Sequence, residues 1–226
     1  MRAQVGLWVG RMALGVLMGL CAFEGPAAAD TARFTLDPDH SIIEFQVRHM
    51  VISKTTGRFN DYSGFVELDP EAGQVKAIEA TIKAASLSTN HEKRDAHLRG
   101  ADFFDVEKHP TLTYKLKNLK KMGDEYTAFG DLTLRGVTQE IVLVGTFNGV
   151  TKDPWGHIRA GFTGKGKLNR KDFGMVWNKT LDSGGLVVGE EVEIRLEIEA
   201  IKAKAEVKNE KSEKNDKNDK GEKSEK

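Results

Sequence analysis

The sequence predicts an all-β domain: an extended antiparallel sheet of about eight strands closed into a barrel, with a short helical segment near residues 90–109. Three observations carry this. Apolar and polar residues alternate with period two in stretch after stretch, which puts alternate side chains on opposite faces of a sheet. Turn-forming residues separate the stretches, at Asp69-Pro70, Met122-Gly123-Asp124, Arg135-Gly136, Asn148-Gly149, Asp153-Pro154 and Ser183-Gly184-Gly185. A sheet this long has exposed edges, and closure into a barrel removes them.

The chain opens on a segment with a different logic. Arg2 precedes an apolar run, Met12–Ala22, and Ala27-Ala28-Ala29 then supplies small residues before Asp30. That order predicts a cleaved secretory signal over residues 1–29. The run is shorter than the roughly 20 apolar residues of a membrane span, so an uncleaved anchor is the weaker alternative. A lipid attachment at Cys21 is disfavoured by the bulky Leu20 before it. Cleavage removes Cys21, the only cysteine, and with it any thiol ligand or nucleophile.

The strands follow in order. Ile42–Val51 places Ile43, Phe45, Val47, His49 and Val51 on one face, and Tyr62–Leu68 forms a second strand. Ile78, Ala80 and Ile82 alternate with Glu79, Thr81 and Lys83. Leu112, Tyr114 and Leu116 share a face, as do Tyr126, Ala128, Gly130, Leu132 and Leu134. Gln139–Phe147 is apolar almost throughout and predicts a strand covered on both sides. Ile158, Ala160 and Phe162 form the next face. Val192, Ile194, Leu196 and Ile198, alternating with glutamates and Arg195, close the series. Eight strands enclose either a filled core or one small ligand. Ala80, Ala128, Gly130 and Ala160 are small for a filled core and favour a cavity.

From Ala203 to Lys226 the chain is charged, with eight lysines against five glutamates and two aspartates, and has no aromatic residue. Such a tail cannot bury enough apolar area to offset its ordering entropy and is predicted to be disordered. Residues 30–202 then form one domain. The whole chain balances 34 basic against 34 acidic residues, so no basic excess points to nucleic acid.

Thr89–Pro110 holds three histidines and the pair Phe103-Phe104. His91-Glu92-Lys93-Arg94-Asp95 is not a zinc-protease motif, because its fifth residue is aspartate. On a regular helix, His91 and His97 lie about 240° apart and cannot grip one ion, so a metal would also need His109. A helical lid fits better. Asn90 is a candidate cap, Glu92 suits the first turn, Arg94 and Leu98 share a face, and Pro110 ends the segment. His40, Ser41 and an aspartate could be imagined as a triad, but no nucleophile elbow surrounds Ser41. Asp172-Phe173-Gly174 and Gly164–Lys167 lack the companion motifs of phosphate chemistry.

Seven stretches stand in one order along the chain: LDPDHSIIEFQVRHM, GRFNDYSGFVELDP, RDAHLRGADFFDVEKHPTLTYK, GDLTLRGVTQEIVL, FNGVTKDPWGHIRAGF, NRKDFGMVW and GEEVEIRLEIEA. Together they resemble the YceI-like family of secreted bacterial lipid-binding proteins, and the likeness covers essentially the whole domain. The resemblance implies a lipocalin-like barrel with an apolar tunnel for a polyisoprenoid, quinone-like or fatty-amide lipid. It also implies a periplasmic setting, often a dimer, and neither cofactor nor catalysis. The expected lining residues are Phe45, Val47, His49, Ile82, Leu132, Phe162 and Trp177, with Phe103 and Phe104 at the lid. Arg94 and His97 are the head-group candidates, since a cation suits an oxygen-rich head. Two other classes remain: a stress-related or surface-interaction protein with a filled barrel, its charged tail making the contact with a membrane or wall surface, and a metal enzyme built on His91, His97 or His109.

Overall fold

A computed structural model describes residues 31–182 and 184–204. The expected signal, residues 1–29, and the expected tail beyond Lys204 lie outside the described residues. No helix among the described residues is long and apolar enough to cross a membrane.

The strands are β1 (Ala32–Leu36), β2 (Ile42–His49), β3 (Ser53–Phe59), β4 (Tyr62–Asp69), β5 (Gln74–Lys83), β6 (Leu87–Ser88), β7 (Thr111–Met122), β8 (Glu125–Leu134), β9 (Val137–Lys152), β10 (Ile158–Asn169) and β11 (Val188–Lys202). Every pairing is antiparallel. The order β1-β4-β5-β7-β8-β9-β10-β11 returns to β1, so eight staves close a barrel. The seam is short: Phe34, Thr35 and Leu36 face Lys202, Ile201 and Ala200. Beyond it, β2 takes over from β1 along β11, from Glu197 opposite Ile42 to Val188 opposite His49. β3 extends β4 in the same way across Asn60 and Asp61. Two staves are therefore long and bent, which makes the barrel extended.

Seven of the eight alternating segments of the sequence correspond to β4, β5 and β7 to β11, and the eighth to β2, which continues along β11 the stave that β1 begins. The short or polar strands β1, β3 and β6 escape pattern reading. β3 reads SKTTGRF, with one large apolar residue, because its inward Gly57 lies beneath the Phe45 ring. A Cβ there would fall 2.3 Å from Phe45 Cζ. β2 also ends earlier than predicted. Met50 and Val51 form the hairpin turn with φ of 49° and 67°. Tight hairpins demand positive φ, and a β-branched residue there is strained. Val51 is consequently 64% exposed instead of facing inward. Gln139–Phe147 is covered on one face only: Ile141 is buried, whereas Val142 is 41% exposed.

Helix α1 spans Glu92–Arg99 and is followed by turns up to His109, so the helical part of the lid is shorter than its segment. His91, not Asn90, is the N-cap, its ring accepting the Arg94 N–H. Polar bonds pin the helix. Buried Asp95 accepts the Thr89 N–H at 2.8 Å. Arg94 donates to Thr89 Oγ1 at 2.7 Å and to its carbonyl at 2.8 Å. Arg99 donates to the carbonyls of Ala85 and Leu87.

Candidate functional site: an apolar cavity along the barrel

The inward faces of the staves enclose a cavity of about 560 Å³. Its size lies within the roughly 300–1,000 Å³ of small-molecule sites. Nearly all of its wall is hydrocarbon, because alternation sends the polar residue of each pair outward. Phe45, Val47 and His49 line it from β2, Ile82 from β5, Leu132 from β8 and Phe162 from β10. At the helical end, Arg94 and His97 of α1 border it, with Phe103, Phe104 and Trp177. All eleven residues singled out from the sequence thus meet at one cavity. Phe59, Tyr114, Tyr126 and Phe147 line it too. Tyr114 and Tyr126 were visible as inward positions of their strands, whereas Phe59 sat on a strand whose polar sequence concealed it.

Aromatic groups close the space. Phe45, Phe59 and Phe104 form one cluster, with ring centroids 5.6–6.3 Å apart. His97, Phe103 and Trp177 form a second at 4.9–5.3 Å, His97 meeting both neighbours edge-on. Edge-to-face rings at such distances attract one another beyond their buried area. Phe147 and Phe162 lie 5.3 Å apart on β9 and β10. Exposed Arg48, Lys93, Arg94 and His97 are part of the cavity wall, so it meets solvent at the lid.

The head-group candidates are already engaged within the chain. Arg94 holds Thr89, and His97 Nε2 lies 2.9 Å from Asp102 Oδ2. Their first role is to fix the lid.

Other polar groups gather outside the cavity. Arg159 donates to Asp153 at 2.8 Å, to Asp37 at 2.6 Å and to Glu199. His40 joins Asp37 at 2.8 Å and His157 joins Asp153 at 3.1 Å. Asp37, His40 and Glu199 are the one group among the described residues whose ligand atoms could converge on a cation, and the Arg159 guanidinium already bonds two of them. His91, His97 and His109 form no such group. Ser41 does not meet His40; its hydroxyl donates to the Glu199 carbonyl and accepts the Glu199 N–H.

Burial alone would raise the carboxyls of Asp37 and Asp153, but hydrogen bonds from Arg159 and the neighbouring histidines prevail and hold both below the usual carboxylate value of 3.8. A depressed folded-state pKa stabilises the fold above the unfolded value, and that stabilisation is lost as pH falls through the folded one. Unfolding by urea should therefore become easier below about pH 4. In Arg159→Met the carboxylates face one another without a cation, so the variant should be weakened at neutral pH and its acid loss flattened or reversed. Parallel acid profiles for the two proteins would contradict this.

Comparison with known proteins agrees with this architecture. The YceI-like domain profile matches residues 34–200. A UPF0312 protein of Pectobacterium atrosepticum is 37% identical over 187 residues, covering 83% of this chain and 94% of that protein. One from Yersinia pestis is 36% identical over 197 residues, covering 87% of this chain and all of that one. The crystal structure of a Campylobacter jejuni YceI protein superposes with a TM-score of 0.61 at 33% identity, over 70% of this chain and 90% of that one. A polyisoprenoid binding domain from Saccharophagus degradans shares the fold, with a TM-score of 0.57 at 15% identity, over 75% of this chain and 98% of that one. The profile match, the relatives and the closed barrel agree, and the chain belongs to the YceI-like family.

Proposed function

We propose that the protein is a periplasmic binding protein, not an enzyme, that sequesters or carries a long-chain isoprenoid or similar amphiphilic lipid in its barrel. One observation carries the reading: a continuous apolar cavity, capped by aromatic clusters and opening to solvent at the lid. Each methylene moved from water into such a wall contributes about 0.8 kcal/mol. The fold neighbour described as a polyisoprenoid binding domain supports the class of cargo. The signal-like start supports export, and pairing into a homodimer is part of the proposal. The β2–β3 hairpin tip beside the lid exposes Val51 and, at 83%, Ile52. With Met50, also exposed, they make a three-residue apolar tip that suits brief contact with a bilayer during loading.

Organic extraction of the purified mature protein, followed by mass spectrometry, should yield one enriched long-chain lipid near one per chain. Folded protein that yields no lipid, even after exposure to a bacterial lipid extract, would refute the container reading.

A further inference from the structure

We propose that the Tyr114 hydroxyl donates a hydrogen bond to a neutral carbonyl oxygen of the bound lipid, so the cargo carries a polar acceptor inside the tunnel as well as a hydrocarbon chain. This rests on the lipid-container reading above.

The argument begins with satisfaction of buried groups. Buried hydroxyls and carboxylates almost always have a partner. Here Tyr62 donates to the Ser41 carbonyl at 2.6 Å and Tyr126 to the Gly73 carbonyl at 2.7 Å. Ser41, Thr89, Asp95 and Arg170 are bonded as well. Among the described residues, one buried side-chain polar atom stands without a partner, the Tyr114 hydroxyl. Tyr114 is 9% exposed and lines the cavity.

Sequence places that hydroxyl. Tyr114 stands on β7 between Ala80 of β5 and Leu132 of β8. Its ring lies against Gly130, where a Cβ would fall 2.4 Å from Tyr114 Cζ and 2.5 Å from its hydroxyl oxygen. The glycine lets the ring lie along the wall, and the small Ala80 leaves room beside it. Three residues separate Tyr114 from the lid end of β7, about 10 Å along the strand. The acceptor therefore belongs within the tunnel, not at its rim.

Chemistry selects a neutral acceptor. Burial, with a smaller contribution from Asp131, pushes the Tyr114 phenol up to about 12, so it keeps its proton and donates. The arginines and lysines that border the cavity all belong to its lid end: Arg48, Lys93 and Arg94 are exposed, and buried Arg170, which directly follows β10, already donates to the backbone carbonyls of Gly189 and Met175, leaving no free counter-charge at this depth for a phosphate or carboxylate. A quinone carbonyl and an amide carbonyl share the required chemistry.

The test uses delipidated mature protein and its Tyr114→Phe variant. Three ligands compete with Nile red: phylloquinone and oleamide, which carry carbonyls, and squalene, which does not. Losing the bond should weaken at least one carbonyl ligand roughly three- to tenfold and leave squalene unchanged. The ligand that weakens identifies the carbonyl source. Its isotope-edited infrared carbonyl band should lie at lower frequency in wild type than in the variant. The empty variant should unfold no more easily than wild type, since it lacks the unpaired hydroxyl. Equal affinities in both proteins, or equal losses for all three ligands, would overturn the inference. Failure of wild type to bind any of the three would overturn the container reading itself.

Discussion

Phe45→Asp should leave a folded barrel that retains no lipid. Phe45 lies on Gly57, 5.6 Å from Phe59 and 6.3 Å from Phe104, and its face is part of the cavity wall. In the empty barrel an aspartate there can be hydrated, because the cavity opens at the lid. A lipid chain would displace that water and leave the carboxylate against hydrocarbon, at an effective cost of several kcal/mol. That is comparable to the burial of several methylenes at about 0.8 kcal/mol each. The same reasoning applies to Leu132→Asp on β8. Circular dichroism should report an intact sheet for each variant, and its organic extract should be empty. Lipid retained by a folded variant would remove that residue from the contacting wall.

The period-two alternation made the staves readable because a barrel wall has a dry face and a wet face. Phe45, Leu132 and Phe162 were accessible for the same reason. What escaped depended on pairs of residues distant in sequence. β3 carries little hydrophobic signal because Phe45 fills the space above Gly57, and no local pattern announces a ring supplied by another strand. The Met50-Val51 turn reads as strand because Val51 favours strands and continues the alternation of β2, and only tertiary closure forces the positive φ of both residues. The role of Arg94 as a lid fastener also depends on a partner, Thr89, that sequence spacing alone does not orient. Likewise, Arg159 is separated by 122 positions from Asp37 and by 40 from Glu199, and no motif links them.

Arg170→Met should cost about 3 kcal/mol or more, from the loss of charged hydrogen bonds and the carbonyls left unpaired. Arg170 is 2% exposed. Its guanidinium donates to the carbonyls of Gly189, at 2.8 Å, and Met175, and reaches that of Val188 at 3.5 Å. Among the described residues no acidic side chain forms an ion pair with it. Burial lowers its pKa from the usual arginine value, and Glu190 opposes that shift. These bonds tie the turn after β10 both to Met175, two residues before Trp177, and to the start of β11. Trp177 in turn packs 4.9 Å from His97 and 5.3 Å from Phe103. The arginine thus holds the segment that brings the lid's aromatic cap to the barrel. Methionine preserves much of the apolar stem and removes the donors, which separates bonding from packing. A loss of that size is a large share of the roughly 5–15 kcal/mol that stabilises a typical fold. Urea unfolding should shift to lower concentration, and amide exchange over residues 174–188 should quicken beyond the global change. Bound lipid should also leave faster, because the cap opens before the barrel does. An unchanged urea midpoint would mean that water satisfies the three carbonyls and that the cap is held by its aromatic contacts alone.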